Sequence, residues 1–488
     1  MRLGFEHSYA ALPSRFHTRV APSPVADPRL VLLNRGLARE LGLDPDVLEP
    51  QAAAMLSGNR LPEDAEPIAM AYAGHQFGDF VPSLGDGRAI LLGEIRAQDS
   101  TLRDIQLKGA GLTRFSRNGD GRAALGPMLR EYLVSEAMHA LGVPSTRSLA
   151  VVTTGEQVFR EQALPGAVLT RVAASHVRVG TFQYFAARGD QDGVRALLEY
   201  VIARHYPQAG SAAVPALAVL EEVSRRQAAL IAHWMLLGFI HGVMNTDNMS
   251  IAGETIDYGP CAFMDEYDPS TVFSSIDTHG RYAFRNQPTI AQWNLARLAE
   301  TLLPLIDAQP EKAVELAILT LESFTAEFDA RFLAGMRRKL GLSSAFEGGA
   351  ELVRRLLLAM ERSHADFTLT FRTLALAAES SAREPELRAL LGDDADSDSW
   401  LRQWRTFMAR DPEPLGERIA GMRASNPAFI PRNHRVHAAL EAAEAGDYGP
   451  FHALLEVLRH PFETQPERNA YAQPPRPEER VRQTFCGT

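Results

Sequence analysis

Hydrophobic and polar residues alternate along parts of the first half of the chain, which predicts β-strands. Ile105 and Leu107 fall on one face of such a strand, and Lys108 falls on the opposite face. The other strand-like segments are 89–95, 148–154, 156–161 and 167–173. Apolar residues four positions apart predict one amphipathic helix over residues 129–141. The first half therefore predicts an antiparallel sheet with one main helix.

The second half of the chain follows a helical pattern. Apolar residues at helical spacing predict a long helix from about Ala216 to Ile240. A leucine repeat that starts at Leu295 opens a helical region, which continues beyond Phe371 with little strand character. The acidic run over 392–398 predicts a loop.

A polar segment follows the long predicted helix. Residues 241–248 read His-Gly-Val-Met-Asn-Thr-Asp-Asn, and Asp257 comes shortly after. Protein kinases use H-R-D-x-x-x-x-N and a later D-F-G, in which one Asp is the base and the Asn and the second Asp bind metal. The side chains of Asn248 and Asp257 supply hard oxygen ligands of the kind that Mg²⁺ prefers. Val243 stands at the base position and cannot accept a proton, while Asp247 adds a new carboxylate.

The residues between these two ligands predict a tight hairpin. Residues 249–251 and 255–256 would be its strands, and 252–254 its turn. Each motif alone also fits an ordinary polar turn, because Asn, Asp and Gly are common turn residues. The two motifs together, after a long apolar helix, favour a metal site.

Lys108 is predicted to pair with a glutamate of the first helix, as a strand lysine does in kinase N-lobes. Glu131 and Glu136 both lie on that helix, and their spacing leaves open which one is the partner. These patterns together predict an α+β, protein-kinase-like bilobal fold. Its N-lobe would be an antiparallel sheet with one main helix, and its C-lobe would be largely helical.

The same patterns predict how the chain is divided. An N-terminal extension (1–65) precedes an N-lobe with glycine-rich nucleotide-binding segments (66–175). A helical C-lobe (176–430) carries the catalytic and metal-binding loops. A C-terminal helical extension with a flexible, proline-rich tail (431–488) follows.

Composition limits the functional classes. The chain has 488 residues, of which 45% are hydrophobic and 23% charged, so it is large enough for two or more hydrophobic cores. Its net charge of −10 argues against nucleic-acid binding. It has no apolar run of bilayer length and no signal-type N-terminus, so we expect a cytoplasmic protein with no membrane partner. Its two cysteines argue against a disulfide framework and against a structural zinc site.

Basic residues nevertheless concentrate in one part of the chain. They are Arg88, Lys108, Arg114, Arg117, Arg122, Arg171 and Arg178. Two glycine-rich segments, 84–88 and 116–122, would let backbone N–H groups approach phosphate oxygens closely. The combination predicts a pocket for a polyanion such as a nucleoside triphosphate. Solvated arginines and simple hairpin turns are the alternative interpretation.

Several motifs of more than two residues together resemble one known family. They are Ala73–Gly78, Gln106–Gly111, Asp120–Arg122, His241–Asn248 and Asp257–Pro260. Over nearly its whole length the chain resembles the selenoprotein O family of protein adenylyltransferases, which are often called pseudokinases, in its bacterial form. The resemblance implies transfer of AMP from ATP to Ser, Thr or Tyr hydroxyls of proteins, with release of pyrophosphate. Self-modification and use of UTP are further expectations.

The resemblance also implies how the nucleotide is bound. ATP would lie inverted relative to its pose in ordinary kinases, with its terminal phosphate among Lys108, Arg171 and Arg178. Asp247 would be the proton acceptor, and Asn248 and Asp257 would hold Mg²⁺ or Mn²⁺. The residues implied for nucleotide binding, with Glu131 as the partner of Lys108, are Gly85, Gly87, Arg88, Lys108, Asp120, Gly121, Glu131, Arg171, Arg178 and Asp257.

Two other functional classes remain open. One is a kinase-like phosphotransferase that acts on a small molecule, and the other is a non-catalytic, nucleotide-binding pseudokinase scaffold. Cys486 stands where eukaryotic relatives carry selenocysteine, and some relatives link a C-terminal Cys to one near the activation loop. The segment around Phe273 offers no such Cys, so Cys486 is predicted to be a bystander thiol.

Overall fold

The computed structural model describes residues 1–343 and 348–485, and its main feature is one large antiparallel sheet. In chain order, the strands of the described residues are β1 (Phe5–Glu6), β2 (His17–Arg19), β3 (Arg29–Leu33), β4 (Ile68–Met70), β5 (Gly74–Gln76), β6 (Asp79–Val81), β7 (Ala89–Arg96), β8 (Leu102–Lys108), β9 (Arg147–Phe159), β10 (Ala163–Ala173), β11 (Phe239–Ile240) and β12 (Ala262–Phe263). The sheet has the order β2-β4-β7-β8-β10-β9-β3, and β1 also pairs with β7. Two separate pairs, β5 with β6 and β11 with β12, lie outside it.

Helices dominate the chain after the sheet. In chain order, the α-helices of the described residues are α1 (Arg35–Glu40), α2 (Pro45–Leu56), α3 (Leu125–Ala140), α4 (Val179–Ala186), α5 (Gln191–His205), α6 (Pro215–Leu237), α7 (Gln287–Ile306), α8 (Pro310–Lys339), α9 (Gly349–Ser363), α10 (Phe367–Glu379), α11 (Glu384–Leu391), α12 (Ala395–Arg410), α13 (Leu415–Ser425), α14 (Asn433–Glu444) and α15 (Gly449–Leu458). None of these helices combines the length and apolarity needed to cross a bilayer. The mixed α/β class with an antiparallel sheet is confirmed.

Alternation along β8 decides what each face of the sheet packs against. Ile105 and Leu107 are buried with α1 and α2 on one face. The other face packs against α3 through Leu129 and Leu133. Because successive side chains of a strand point to opposite faces, Lys108 lies on the α3 side. This is the placement that the sequence predicts.

A third and larger hydrophobic core is built mainly from α4 and the helices that follow it, together with sheet residues such as Ile68 and Leu91. The predicted helix over 216–240 is confirmed as α6, although it ends at Leu237. Gly238 closes it in the left-handed region with φ +71°, where a Cβ would be strained. Residues 239–240 then form β11, which pairs with β12 and leads the chain toward the polar segment at 241–248.

Some predicted segments differ from the structure. Residues 148–154 and 156–161 were predicted as two strands, but most of them belong to the single strand β9. Gly155, between the two predicted strands, has φ +72°, a conformation that glycine adopts without strain. The strand therefore continues through this glycine and does not end there.

The acidic run is only partly a loop. The side chain of Asp394 accepts a hydrogen bond from the backbone N–H of Ser397 and caps α12. Asp396 and Asp398 lie in the first turn of that helix. Carboxylates stabilise a helix N-terminus by interacting with its dipole, so the charges favour the helix here.

The N-terminal segment and the described part of the C-terminal tail both contact the main body. Strands β1 to β3, from the predicted N-terminal extension, pair within the large sheet. The tail is not extended throughout, because it contains 3-10 helices at Pro466–Tyr471 and Pro477–Glu479. Thr484 then pairs with Ser274 as an isolated parallel bridge.

Arg432, at the start of α14, joins the C-terminal helices to the helical core through a buried ion pair. Its guanidinium lies 2.6 Å from Asp265 Oδ1 and 2.6 Å from Asp366 Oδ2. The side chain is fully buried, and Nη2 also donates to the carbonyl oxygen of Ala472. Removing the cation would leave two buried carboxylates without their main partner.

We expect Arg432→Met to lower the free energy of unfolding by about 3–5 kcal/mol, the usual cost of breaking a buried ion pair from one side. Urea unfolding would measure the loss. His437→Ala, on the exposed side of the same helix, is the control and should change stability by about 0.5 kcal/mol or less. Equal, small losses in both variants would contradict this account.

Candidate active site

Most of the residues predicted for nucleotide binding line one cleft of about 300 Å³. Seven of its lining side chains are Lys or Arg and four are Asp, although the whole chain is acidic. The predicted residues that line it are Gly85, Gly87, Arg88, Lys108, Asp120, Gly121, Arg171, Arg178, Asp247, Asn248 and Asp257. The excess of basic side chains makes the cleft suited to an anion.

Glycines shape one wall of this cleft. Gly85 has φ +63°, and a Cβ there would lie 2.2 Å from the ring of Phe115. A Cβ at Gly121 would lie 2.2 Å from the backbone of Gly111. Both positions therefore require glycine, and the backbone at these places can approach a ligand closely.

A cluster of ion pairs lies at the deep end of the cleft. Lys108 Nζ is 2.6 Å from Glu131 Oε2 and 3.1 Å from Asp257 Oδ1. Arg171 bridges the same two carboxylates, at 2.6 Å from Glu131 and 2.5 Å from Asp257. Arg178 Nη1 lies 3.3 Å from Asp257 Oδ2. Three cations thus share two carboxylates.

The secondary structure explains how this cluster assembles. In the antiparallel register, Leu169 of β10 lies opposite Lys108 and Arg171 lies opposite Gln106. Opposed residues point to the same face, so Arg171 and Lys108 both face α3, which carries Glu131. In this structure Glu131, and not Glu136, is therefore the partner of Lys108. Glu136 instead binds the guanidinium of Arg147 at 2.8 Å.

Burial and charge act against each other in this cluster. Burial favours the neutral acid, but the charges of Arg171 and Lys108 hold the pKa of Asp257 well below its usual value. The same two cations lower the pKa of Glu131 against the effect of its burial. Both carboxylates are therefore ionised. For Lys108, burial and the nearby charge of Arg171 lower the pKa of the ammonium group.

The polar segment at 241–248 is held by hydrogen bonds at its start. His241 is buried, and its Nε2 lies 2.9 Å from the carbonyl oxygen of Ile256 while Nδ1 accepts from Val243 N. Burial lowers the pKa of His241, which favours the neutral ring that this pattern requires. Val243, which the sequence aligns with the kinase base, is buried, as expected of an apolar residue.

The predicted hairpin between the two metal-ligand candidates is wrong. Ser250 forms a bridge with Arg178, and Thr255 forms a bridge with Ser145. The two segments therefore pair with distant parts of the chain and not with each other. Local spacing could not reveal this, because both partners lie about 70 to 110 residues earlier. The result still places Asp257 against β8 and β10.

Asp247 lies in a 3-10 turn over Thr246–Asn248, and only 7% of the residue is exposed. Its Oδ2 accepts a hydrogen bond of 3.4 Å from Gln76 Nε2. Its Oδ1 has no hydrogen-bond partner among the described residues. Burial raises the pKa of Asp247 to about 6, although the charge of Arg178 opposes the shift.

The oxygens of Asn248 and Asp257 fit a hard divalent cation. Asn248 Nδ2 donates to the carbonyl oxygen of Val243, which leaves its Oδ1 available to the cleft. Asp257 has φ +64°, an uncommon backbone conformation for a non-glycine residue. Among the described residues, no group of three or more His, Cys, Asp or Glu side chains could hold a metal by itself. A cation here would need phosphate oxygens or water to complete its coordination.

Several cleft residues have no sequence signal. The ring of Tyr72 lies 4.5 Å from the guanidinium carbon of Arg178. Phe115 packs against Gly85, and Arg160 pairs with Asp120 at 2.8 Å. None of the three belongs to a motif with a known spacing, so only their position in the fold reveals them.

Comparison with known proteins identifies the family of this chain. The family model described as protein adenylyltransferase SelO matches residues 1–459. The chain belongs to this family. A protein nucleotidyltransferase YdiU from Rhodopseudomonas palustris (strain BisB5) is 63% identical over 486 residues, which is 99% of each chain. Proteins of the same name from Rhizobium johnstonii and Rhizobium meliloti (strain 1021) are 61% identical over 485 residues, covering 99% of this chain and 97% and 99% of theirs.

Membership in the SelO family makes this chain an enzyme of the nucleotidyltransferase class, with protein adenylyltransferase activity and ATP as co-substrate. Of its two cysteines, Cys261 is buried and free, and burial raises the pKa of its thiol to about 11. Such a thiol is poorly reactive because the thiolate is the nucleophile. Cys486 lies outside the described residues, so the prediction for it stays untested.

We expect inorganic pyrophosphate to stabilise the folded protein, because its oxygens would pair with the cations at the deep end of the cleft. At 100 times its Kd the gain in unfolding free energy would be about 2.7 kcal/mol, measurable as a rise in Tm. Lys108→Ala should lose most of this rise. Arg114→Ala, which removes an exposed cation from the same basic stretch, should keep it. An equal rise in both variants would place the anion elsewhere.

Proposed function

We propose that this enzyme binds ATP with its outer phosphates at the deep end of the cleft and its α-phosphorus beside Asp247. The observation that carries the proposal is the convergence of Lys108, Arg171 and Arg178 at a buried place. Most of the negative charge of ATP lies on its outer phosphates, so these are the groups that such cations attract most strongly. An acceptor hydroxyl could not reach a γ-phosphate that is buried at this place.

In this pose the acceptor would be a Ser, Thr or Tyr hydroxyl of a protein. The hydroxyl oxygen would form a bond to the α-phosphorus, and the bond between that phosphorus and the bridging oxygen would break to release pyrophosphate. Asp247 would accept the hydroxyl proton at its unpartnered Oδ1. Lys108 and the two arginines would stabilise the charge that develops on pyrophosphate.

The remaining site residues would support the nucleotide. Asn248 and Asp257 would hold Mg²⁺ or Mn²⁺, which when bound neutralises phosphate charge. The glycine-rich wall, with Gly85, Gly87 and Gly121, would lie against the nucleotide with Arg88 and Asp120. Because the phosphate contacts do not read the base, UTP is a second possible donor.

We also propose a kinase-like architecture and a cellular setting for this enzyme. The sheet with α3 would correspond to a kinase-like N-lobe over about 66–175, and the helical part over 176–430 to a C-lobe. Residues 1–65 and 431–488 would be extensions. A cytoplasmic location and substrates other than the enzyme itself also belong to the proposal.

The test uses ATP labelled at either the α- or the γ-phosphate, with Mg²⁺ or Mn²⁺ and the full-length enzyme as its own acceptor. We expect only the α-label to remain on protein, with pyrophosphate released. Asp247→Asn should lower labelling by about 10² to 10⁴, the range for loss of a general base. Asp393→Asn, an exposed carboxylate, is the control. Retention of γ-label would support the phosphotransferase alternative.

We expect Gly74→Ala to lower kcat while leaving the Kd for ATP nearly unchanged. A Cβ at residue 74 would lie 2.3 Å from Asp247 Oδ1 and would displace that carboxylate. A displacement of about 1 Å can cost 10²-fold in rate. Gly416→Ala adds the same methyl group into open space and should have no effect. Equal kcat values for the two variants would argue against Asp247 as the proton acceptor.

A further inference from the structure

Asp247 contacts a second element that is distinct from the nucleotide cleft. This element is the hairpin formed by β5 and β6, residues 74–81, and none of its described residues lines the cleft. The backbone N–H of His75 donates to Thr246 Oγ1 at 2.7 Å, and that of Phe77 donates to Asn245 Oδ1 at 3.1 Å. Gln76 reaches the carboxylate of Asp247 itself. The hairpin is thus bound to the loop that carries the proposed proton acceptor.

The hairpin presents aromatic side chains next to this loop. Phe80 is 39% exposed, which is high for so large an apolar side chain. Its ring lies 4.9 Å from the ring of His75, which in turn lies 5.2 Å from that of Trp293 on α7. Burial lowers the pKa of His75, which favours its neutral form. These three rings form a continuous, partly exposed surface.

Two arginines flank that surface. The guanidinium carbons of Arg281 and Arg297 each lie 4.8 Å from the centre of the Trp293 ring. Residue 78 of the hairpin also approaches Arg281, since a Cβ there would lie 3.7 Å from its guanidinium. We call His75, Phe80, Arg281, Trp293 and Arg297 the hairpin surface.

The two arginines differ in their partners. Arg297 pairs with Glu300 at 2.5 Å. Arg281 forms no ion pair with a carboxylate of the described residues. Its buried Nε has no hydrogen-bond partner there, which is also true of the Nε of Arg297. The acid closest in sequence, Asp277, is buried and accepts the backbone N–H groups of residues 281 and 282 at 2.9 and 2.7 Å. A partly buried guanidinium without a carboxylate is a site for an incoming anion.

We propose that the hairpin surface binds the protein acceptor and selects hydroxyls that have acidic residues close by. The carboxylate would pair with Arg281, while the aliphatic and backbone parts of the segment would pack on Phe80 and Trp293. Because the hairpin contacts Asp247, a protein segment bound on the hairpin surface would have its hydroxyl close to the proton acceptor. This inference rests on the proposed function and adds the class of substrate. Because the chain as a whole is acidic, an acidic segment would be attracted only where such a cation is exposed.

The test compares peptides that contain one Thr between flanking runs of Glu, Ala or Lys, with α-labelled ATP and Mg²⁺. We expect kcat/KM for the Glu peptide to exceed that for the Ala peptide by about tenfold or more, through a lower peptide KM. Arg281→Glu should remove this preference and favour the Lys peptide, with the KM for ATP unchanged. Arg281→Lys keeps the positive charge, so kcat/KM should still be highest for the Glu peptide, as in the wild type.

Arg410→Glu makes the same charge change at an exposed position on α12 and should behave as the wild type. Equal kcat/KM for the three peptides with wild-type enzyme would overturn the inference, and that comparison does not depend on any variant folding. A loss in Arg281→Glu that is the same for all three peptides would also overturn it, because the residue would then be structural. If neither peptide nor enzyme acquired α-label, the proposed function itself would fail, and this inference with it.

Discussion

Three buried cations that share two carboxylates determine how the sheet, α3 and the segment around Asp257 fit together. Lys108, Arg171 and Arg178 come from β8, β10 and the start of α4, while Glu131 and Asp257 come from α3 and the segment after the polar loop. Buried charges are tolerated only when they are paired, so five separate elements must meet in one arrangement. The sheet register and the packing of α3 are the features that bring them together.

The same constraint joins the sheet to the helical part of the chain. Asp257 belongs to the helical part by sequence, yet its charge is compensated entirely by cations from the sheet side and the start of α4. Ser250 and Thr255 form bridges to earlier segments on either side of it. Thus the loop that would hold the metal is positioned by the large sheet and the start of α4. Asp247 is placed similarly, between the cleft and the β5–β6 hairpin, where Gly74 leaves room for its carboxylate.

Part of this site could be predicted from the sequence, because it depends on local periodicity or on motifs. Alternation places Lys108 on the face opposite Ile105 and Leu107, and Asn248 and Asp257 follow each other in the order of the kinase metal-binding motifs. The choice of Glu131 over Glu136 depends on how α3 is rotated against the sheet, which spacing does not report. The pairing of residues 250 and 255 was missed because their partners are distant in sequence. Tyr72, Phe115 and Arg160 reach the cleft only through the fold, and the short N-terminal strands carry too little pattern to be assigned to the sheet.

The triphosphate could lie in the cleft in either of two directions, and the proposed reaction depends on which one it takes. A crystal structure with a non-hydrolysable ATP analogue and Mg²⁺ would measure this most directly. We expect the β- and γ-phosphates to contact Lys108, Arg171 and Arg178, and the α-phosphorus to face Asp247 Oδ1. A γ-phosphorus beside Asp247, with the adenosine end of the nucleotide toward those three cations, would contradict it.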